Sequence, residues 1–230
     1  MVLPIQQSTL TANLKQFKNN KRSTGNPEKG QRTMSKTIDF YFDFGSPTAY
    51  LAYKRLQQLQ AQYSCIIDYK PVLLGGLFKA TGNTSPVMVA AKSKYMMGQD
   101  LPRFAALYQV PLNINPHFPI NTLNLMRAAV ATLDQDCFAD YVHTVYDAVW
   151  VNGENMGEPE VVARVLTSAG LDAETIIANS QDPEVKAALI SHTEAAVERG
   201  CFGAPTLFIG DEMFFGQDRM QFIEMALQPK

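Results

Sequence analysis

Between Thr37 and Leu59 the hydrophobic period changes once, from two residues to about 3.6, and the change takes place across Gly45-Ser46-Pro47. Before it, Ile38, Phe40, Phe42 and Phe44 alternate with Asp39, Tyr41 and Asp43, the pattern of a strand. After it, Ala52, Leu56 and Leu59 recur at helical spacing. Gly45 ends the strand, Ser46 suits an N-cap, and Pro47 suits the first helical position because the N–H it lacks would go unbonded there. Cys65, Ile66, Ile67 and Tyr69, running into Lys70-Pro71, make a second strand. Strand, helix and strand follow closely enough for a right-handed crossover, so this part of the chain is α/β.

The middle has a different rhythm. Leu123, Met126, Val130 and Leu133 recur at helical intervals, as do Phe138, Tyr141, Val142, Val145 and Val149, then Val162, Val165 and Leu166, then Val185, Leu189 and Ala196. Gly200 to Pro205 breaks this run. Thr206 to Ile209 reads as a strand, Gly210-Asp211-Glu212 as a turn and Met213-Phe214-Phe215 as its paired strand. Phe222, Met225 and Ala226 are expected on the core face of a last helix. The α/β ends and helical middle predict a fold interrupted by an all-helical insertion, with one domain from about 37–73 and 197–230 and the insertion at about 74–196. Residues 1–36 read as a disordered N-terminal extension. Lys15, Lys18, Lys21, Arg22, Lys29 and Arg32 face the single acid Glu28 there, with no sustained periodicity. The same basic, acid-poor stretch also suits an organelle transit peptide.

Composition removes several classes of function. A formal net charge of -2 supplies no basic field for nucleic acid, and no apolar run approaches the roughly 20 residues of a membrane span, so a soluble cytoplasmic protein is expected. Cys65, Cys137 and Cys201 are odd in number and far apart, and no CxxC is present. His117, His143 and His192 show no ligand spacing, so the chain is not read as a metal enzyme.

Ser46 has a structural reading, a helix cap worth on the order of 1 kcal/mol. A second element near the C-terminus points to more. Gly203-Ala204-Pro205-Thr206 precedes a strand hairpin, and a cis bond before Pro205 would turn the Ala204 backbone toward an extended ligand. Phe42-Asp43-Phe44-Gly45-Ser46-Pro47 with Tyr50 and Leu51, then Lys70-Pro71, Gly82-Asn83, Lys94-Tyr95, Phe118-Pro119, Trp150, the Gly203 to Thr206 stretch and Gly216-Gln217-Asp218-Arg219 occur in order. This set resembles the 2-hydroxychromene-2-carboxylate isomerase family, whose wider group includes the kappa-class glutathione transferases. The resemblance runs from about Thr37 to the C-terminus.

The resemblance implies a thioredoxin-like fold of the DsbA type split by a helical domain, a homodimer, and glutathione as cofactor. Ser46 would be the catalytic group, holding the glutathione sulfur at the N-terminus of the first helix, with Pro47 beside it. A helix N-terminus favours a thiolate by about 0.3–1 kcal/mol, up to about 2 when partly buried. One pKa unit is about 1.4 kcal/mol, so the serine hydroxyl and nearby cations must supply the rest. Ala204 and Pro205 would meet the cysteinyl part, Gln217 and Asp218 the γ-glutamyl end, and Asn83 would also bind glutathione. Lys70, Lys94 and Tyr95 would bind an aromatic carboxylate substrate, with Trp150 and Tyr50 as apolar wall. Cys201 is read as a buried, inert thiol. The implied reaction exchanges 2-hydroxychromene-2-carboxylate and trans-o-hydroxybenzylidenepyruvate through a transient glutathione adduct, a step of aromatic compound catabolism. The alternatives are a kappa-class-like glutathione transferase and a non-catalytic glutathione- or peptide-binding module. A disulfide oxidoreductase is rejected, because serine cannot form the mixed disulfide.

Overall fold

The alternation at Ile38, Phe40 and Phe42 is realised as β1, Thr37–Phe42, with all three side chains fully buried. The structure, a computed structural model, describes residues 35–228. The turn at Gly45 feeds α1, Pro47–Tyr63, and β2 follows as Ile66–Pro71, parallel to β1 with Phe40 opposite Tyr69. The C-terminal part returns with β3, Thr206–Ile209, and β4, Glu212–Phe215. The turn between them is therefore Gly210-Asp211, and Glu212 already belongs to the strand. β3 lies antiparallel to β1, with Leu207 opposite Phe40, and the sheet order is β2-β1-β3-β4.

Between β2 and β3 the chain is helical: α2 (Leu74–Thr81), α3 (Ala90–Tyr95), α4 (Leu101–Tyr108), α5 (Leu123–Thr132), α6 (Phe138–Trp150), α7 (Pro159–Ser168), α8 (Ala173–Asn179) and α9 (Pro183–Glu198). The fold is thus thioredoxin-like, with helices interrupting it. The inserted helices share one apolar core with the sheet. Phe42, Phe44 and Tyr53 surround the ring of Tyr146 from α6, whose centroid lies 4.9 Å from those of Phe44 and Tyr53. Burial of side chains this size contributes about 1.5–3 kcal/mol each.

Strict alternation would leave the second face of β1 in water, but Tyr41 and Asp43 are buried too. Tyr41 packs with Val72, Leu77, Ala196, Cys201 and Phe208, because α2 and α9 cover that face. The last helix, α10 (Met220–Leu227), corrects another expectation. Met220, Ile223 and Leu227 are its buried residues, whereas Phe222 is 45% and Met225 64% exposed. Apolar residues occur around much of this helix, so its phase is set by packing on α1.

The expected extension lies outside the described residues except at its end. Lys36, placed with it from the sequence, belongs to the fold: its carbonyl accepts from Ile66 N at 2.9 Å and its Nζ donates to the Ala226 carbonyl at the end of α10.

Candidate active site

Ser46 is an N-cap, as its sequence position predicts. Its Oγ accepts from Ala49 N at 3.1 Å, and it is 4% exposed. The same oxygen donates to Ala204 O at 2.9 Å, across 158 residues, and lies 2.9 Å from Thr48 Oγ1. Thr48 Oγ1 is in turn 3.3 Å from Ala204 O. The bond between Ala204 and Pro205 is cis, and Pro205 O accepts from Gly216 N at 3.0 Å. These contacts join the start of α1, the loop before β3 and the end of β4 around one opening.

The turn is held from below by groups that come from far along the chain. Asp43 Oδ1 accepts from Gly45 N at 2.9 Å and Thr122 Oγ1 at 2.7 Å, and its Oδ2 accepts from Leu74 N at 2.8 Å. One buried carboxylate thereby ties the turn to the starts of α2 and α5. Burial pushes its pKa above the ordinary carboxylate range, against the lowering effect of the three donors. Trp150 Nε1 donates to Phe44 O at 2.8 Å, directly before the turn. Asn83 Nδ2 donates to Phe202 O at 2.8 Å and braces the loop before Pro205.

The cavity over this junction has a volume of about 270 Å³. Of the residues expected to bind, Ser46, Pro47, Asn83, Ala204, Gln217 and Asp218 line it, and Pro205 lies buried behind Ala204. Asp218 makes no cap bond to α10. Its carboxylate is ion-paired with the adjacent Arg219. Lys70, Lys94 and Tyr95 are not among the lining residues. Lys70 is paired with Asp68 at 2.7 Å, and Lys94 and Tyr95 project into solvent from α3. Trp150 and Tyr50 are core rather than wall, with Tyr50 Oη donating to Pro111 O at 2.6 Å. Among the described residues the charged lining groups are Asp100 and Asp218, so the cations expected near the sulfur are not there.

Sequence reasoning missed several residues. Thr48 carries a hydroxyl only two positions after Ser46, a signal hidden by its helical setting. Asp43 looked like the polar position of a strand. Phe78, Met96, Phe118 and Phe215 form the apolar wall, and nothing local to them indicates that they converge. Cys201 is buried outside the cavity, with its thiol pushed up to about 11 by burial. The described residues hold no group of His, Cys, Asp or Glu side chains arranged for a metal, and no helix among them is long and apolar enough to cross a membrane. A larger groove of about 650 Å³ lies between α2, α5 and α9, away from Ser46.

A thioredoxin-type sheet, a capped helix start facing a cis-proline loop and a helical insertion define the class: the chain belongs to the DSBA-like thioredoxin domain family, whose model matches residues 37–228. A 2-hydroxychromene-2-carboxylate isomerase of Sphingobium xenophagum is 36% identical over 84% of this chain and 99% of its own length. Within the family, the chain stands with these isomerases. A solved structure of a 2-hydroxychromene-2-carboxylate isomerase is 33% identical, covers 83% of this chain and 94% of its own, and superposes with a TM-score of 0.76. Glutathione S-transferase kappa 1 of Caenorhabditis elegans is 31% identical over 83% of this chain and 90% of its own length.

Proposed function

We propose that this protein is a glutathione-dependent isomerase that interconverts 2-hydroxychromene-2-carboxylate and trans-o-hydroxybenzylidenepyruvate. The observation that carries the reading is Ser46 at the start of α1, its hydroxyl directed at the cis-proline loop, in a chain that matches an isomerase over nearly that relative's whole length. The reading includes a cytoplasmic homodimer acting in aromatic compound catabolism.

The residues present suit glutathione. Gly216 has φ 93° and ψ 160°, and a Cβ there would come within 2.5 Å of Asp218 Oδ1, so the backbone beside Asp218 requires glycine. Asp100 and Asp218 suit the γ-glutamyl ammonium, and charge-assisted hydrogen bonds are roughly twice as strong as neutral ones. Ser46 offers its hydroxyl to the sulfur. At the start of α1, Pro47 has no N–H, Ala49 N is bound by Ser46 Oγ and Tyr50 N by Ser46 O, which leaves Thr48 N–H as the first-turn donor facing outward.

When bound, glutathione would supply a thiolate able to add reversibly to a conjugated carbon, making a double bond single until the thiolate is expelled, while opening of the hemiketal ring, its hydroxyl proton passing to the phenol oxygen, would free that carbon chain to turn. The protein's part is to hold the sulfur ionised, to present the substrate against the wall of Phe78, Phe118 and Phe215, and to exclude water there. Asp43 and Trp150 keep the Ser46 turn in place and touch no reactant.

The similarity to kappa-class transferases favours a second reading, in which the sulfur stays with the product. The two differ in what becomes of the thiol. Enzyme is mixed with the chromene and sub-stoichiometric glutathione, the absorbance of the open-chain product is followed, and free thiol is measured at the end. Many turnovers per glutathione with an unchanged thiol titre are expected. Thiol loss equal to product would replace the isomerase with a transferase, and no reaction would leave a binding module.

A further inference from the structure

Ser46 Oγ carries one proton and two lone pairs. One lone pair receives Ala49 N–H, and the proton goes to Ala204 O at 2.9 Å. A proton given to that carbonyl is not available to a sulfur. For Ser46 to hold a thiolate, its hydroxyl must turn away from Ala204, whose residue is 8% exposed, and a buried acceptor stripped of its donor is unfavourable. Thr48 Oγ1 stands 2.9 Å from Ser46 Oγ and 3.3 Å from Ala204 O, within reach of both.

We infer that Thr48 is a positioning residue for Ser46, its hydroxyl taking over the Ala204 carbonyl when the Ser46 proton turns to the ligand's sulfur. The inference rests on the glutathione reading above and assigns a role within that same site. Without the sulfur the Thr48 hydroxyl is shared between Ser46 Oγ at 2.9 Å and Ala204 O at 3.3 Å, and with the sulfur in place it goes to Ala204 O. Each acceptor keeps a donor through the exchange. The charges around the cavity make the exchange matter. Asp100 before α4 and Asp218 after β4 are both acids, and Arg219, the cation next to Asp218, is engaged by it. With no lining cation among the described residues, the thiolate depends on the Ser46 hydroxyl and on the start of α1.

The test uses the full chain with bound glutathione, whose thiolate is titrated by its ultraviolet absorbance while calorimetry confirms occupancy. Thr48→Val keeps the β-branched shape and removes the hydroxyl, and Thr48→Ser restores it. In Thr48→Val the bound thiol should titrate about one pKa unit higher, a roughly tenfold loss of thiolate at a fixed pH below that value. Thr48→Ser should titrate like the wild type. On a Ser46→Ala background Thr48→Val should add no further shift, since Thr48 acts through Ser46. A Thr48→Val protein that titrates like the wild type, a Thr48→Ser protein that titrates like Thr48→Val, or a shift that persists in full without Ser46 would overturn the inference. If Ser46→Ala itself leaves the bound thiol unmoved, the role of Ser46 falls as well. A shift with Ser46→Ala beside an unmoved Thr48→Val removes the role of Thr48 alone.

Discussion

At the scale of single residues, the site depends on a few atoms that are each used more than once. Ser46 Oγ caps α1, bonds the cis-proline loop and faces the cavity. Ser46→Ala is expected to lose about 10²- to 10³-fold in turnover, the effect of removing one preorganised donor, with a far smaller loss of stability. Steady-state kinetics beside a melting curve check this, and unchanged turnover would leave Ser46 as a cap only. Asp43 makes a prediction about pH. Its carboxyl is held above the ordinary 3.8, chiefly by burial, so the folded chain binds this proton more tightly than the unfolded chain. Its contribution to stability is therefore full below that ordinary value and is lost as pH rises through the raised one. Asp43→Asn cannot titrate, and its amide would set a donor against Leu74 N. The variant should be less stable, and wild type minus variant, measured by urea unfolding, should shrink from acid to neutral pH. A difference that grew with pH would show that the three donors outweigh burial.

At the scale of elements, the step from β4 into α10 passes through Gly216 in a backbone region that is essentially restricted to glycine. Gly216→Ala should lose about 1–3 kcal/mol of stability and displace the Asp218 carboxylate from its place at the cavity. Chemical unfolding and glutathione calorimetry together check both parts. Asp218→Asn provides the contrast. Its partner Arg219 is adjacent and exposed, so stability should change by less than about 1 kcal/mol while glutathione binding weakens. Equal effects on melting and on binding would mean that Asp218 acts through the fold. The Ser46 hydroxyl at the start of α1 was legible as a cap because capping is a local rule. The places of Lys70, Lys94 and Tyr95 were not. Whether a strand residue such as Lys70 faces a cavity depends on what covers its sheet face, and here it lies among Asp68 and His192 rather than beside Ser46.

At the scale of the whole molecule, the inserted helices and the sheet share one core, and the junction between them supports the site. Trp150 ends α6, its ring lies 5.6 Å from that of Phe118 in the cavity wall, and its N–H holds Phe44 O. It is the single tryptophan of the chain. Its fluorescence therefore reports this junction, while far-UV circular dichroism is dominated by the helices. Because the core is continuous, the two signals are expected to give coincident thermal transitions. A helical transition at a different temperature from the fluorescence change would show that the insertion unfolds as a unit of its own.

The sequence by itself determined what is local: the switch from strand to helical period at Gly45-Ser46-Pro47, the capped start of α1, the β3–β4 hairpin and the helical middle. Order and spacing of the motifs added the family, since a series of short matches in sequence is far more specific than any one. Only the tertiary structure decided which face of α10 is buried, that Asp43 fastens α2 and α5 to the turn, that Thr48 and Ser46 share the Ala204 carbonyl, and that the cavity is lined by acids rather than lysines. The physical reason is that periods and caps are set by backbone sterics within a few residues. A side chain's direction and partners across more than 100 residues follow from how the layers pack, which no local pattern encodes.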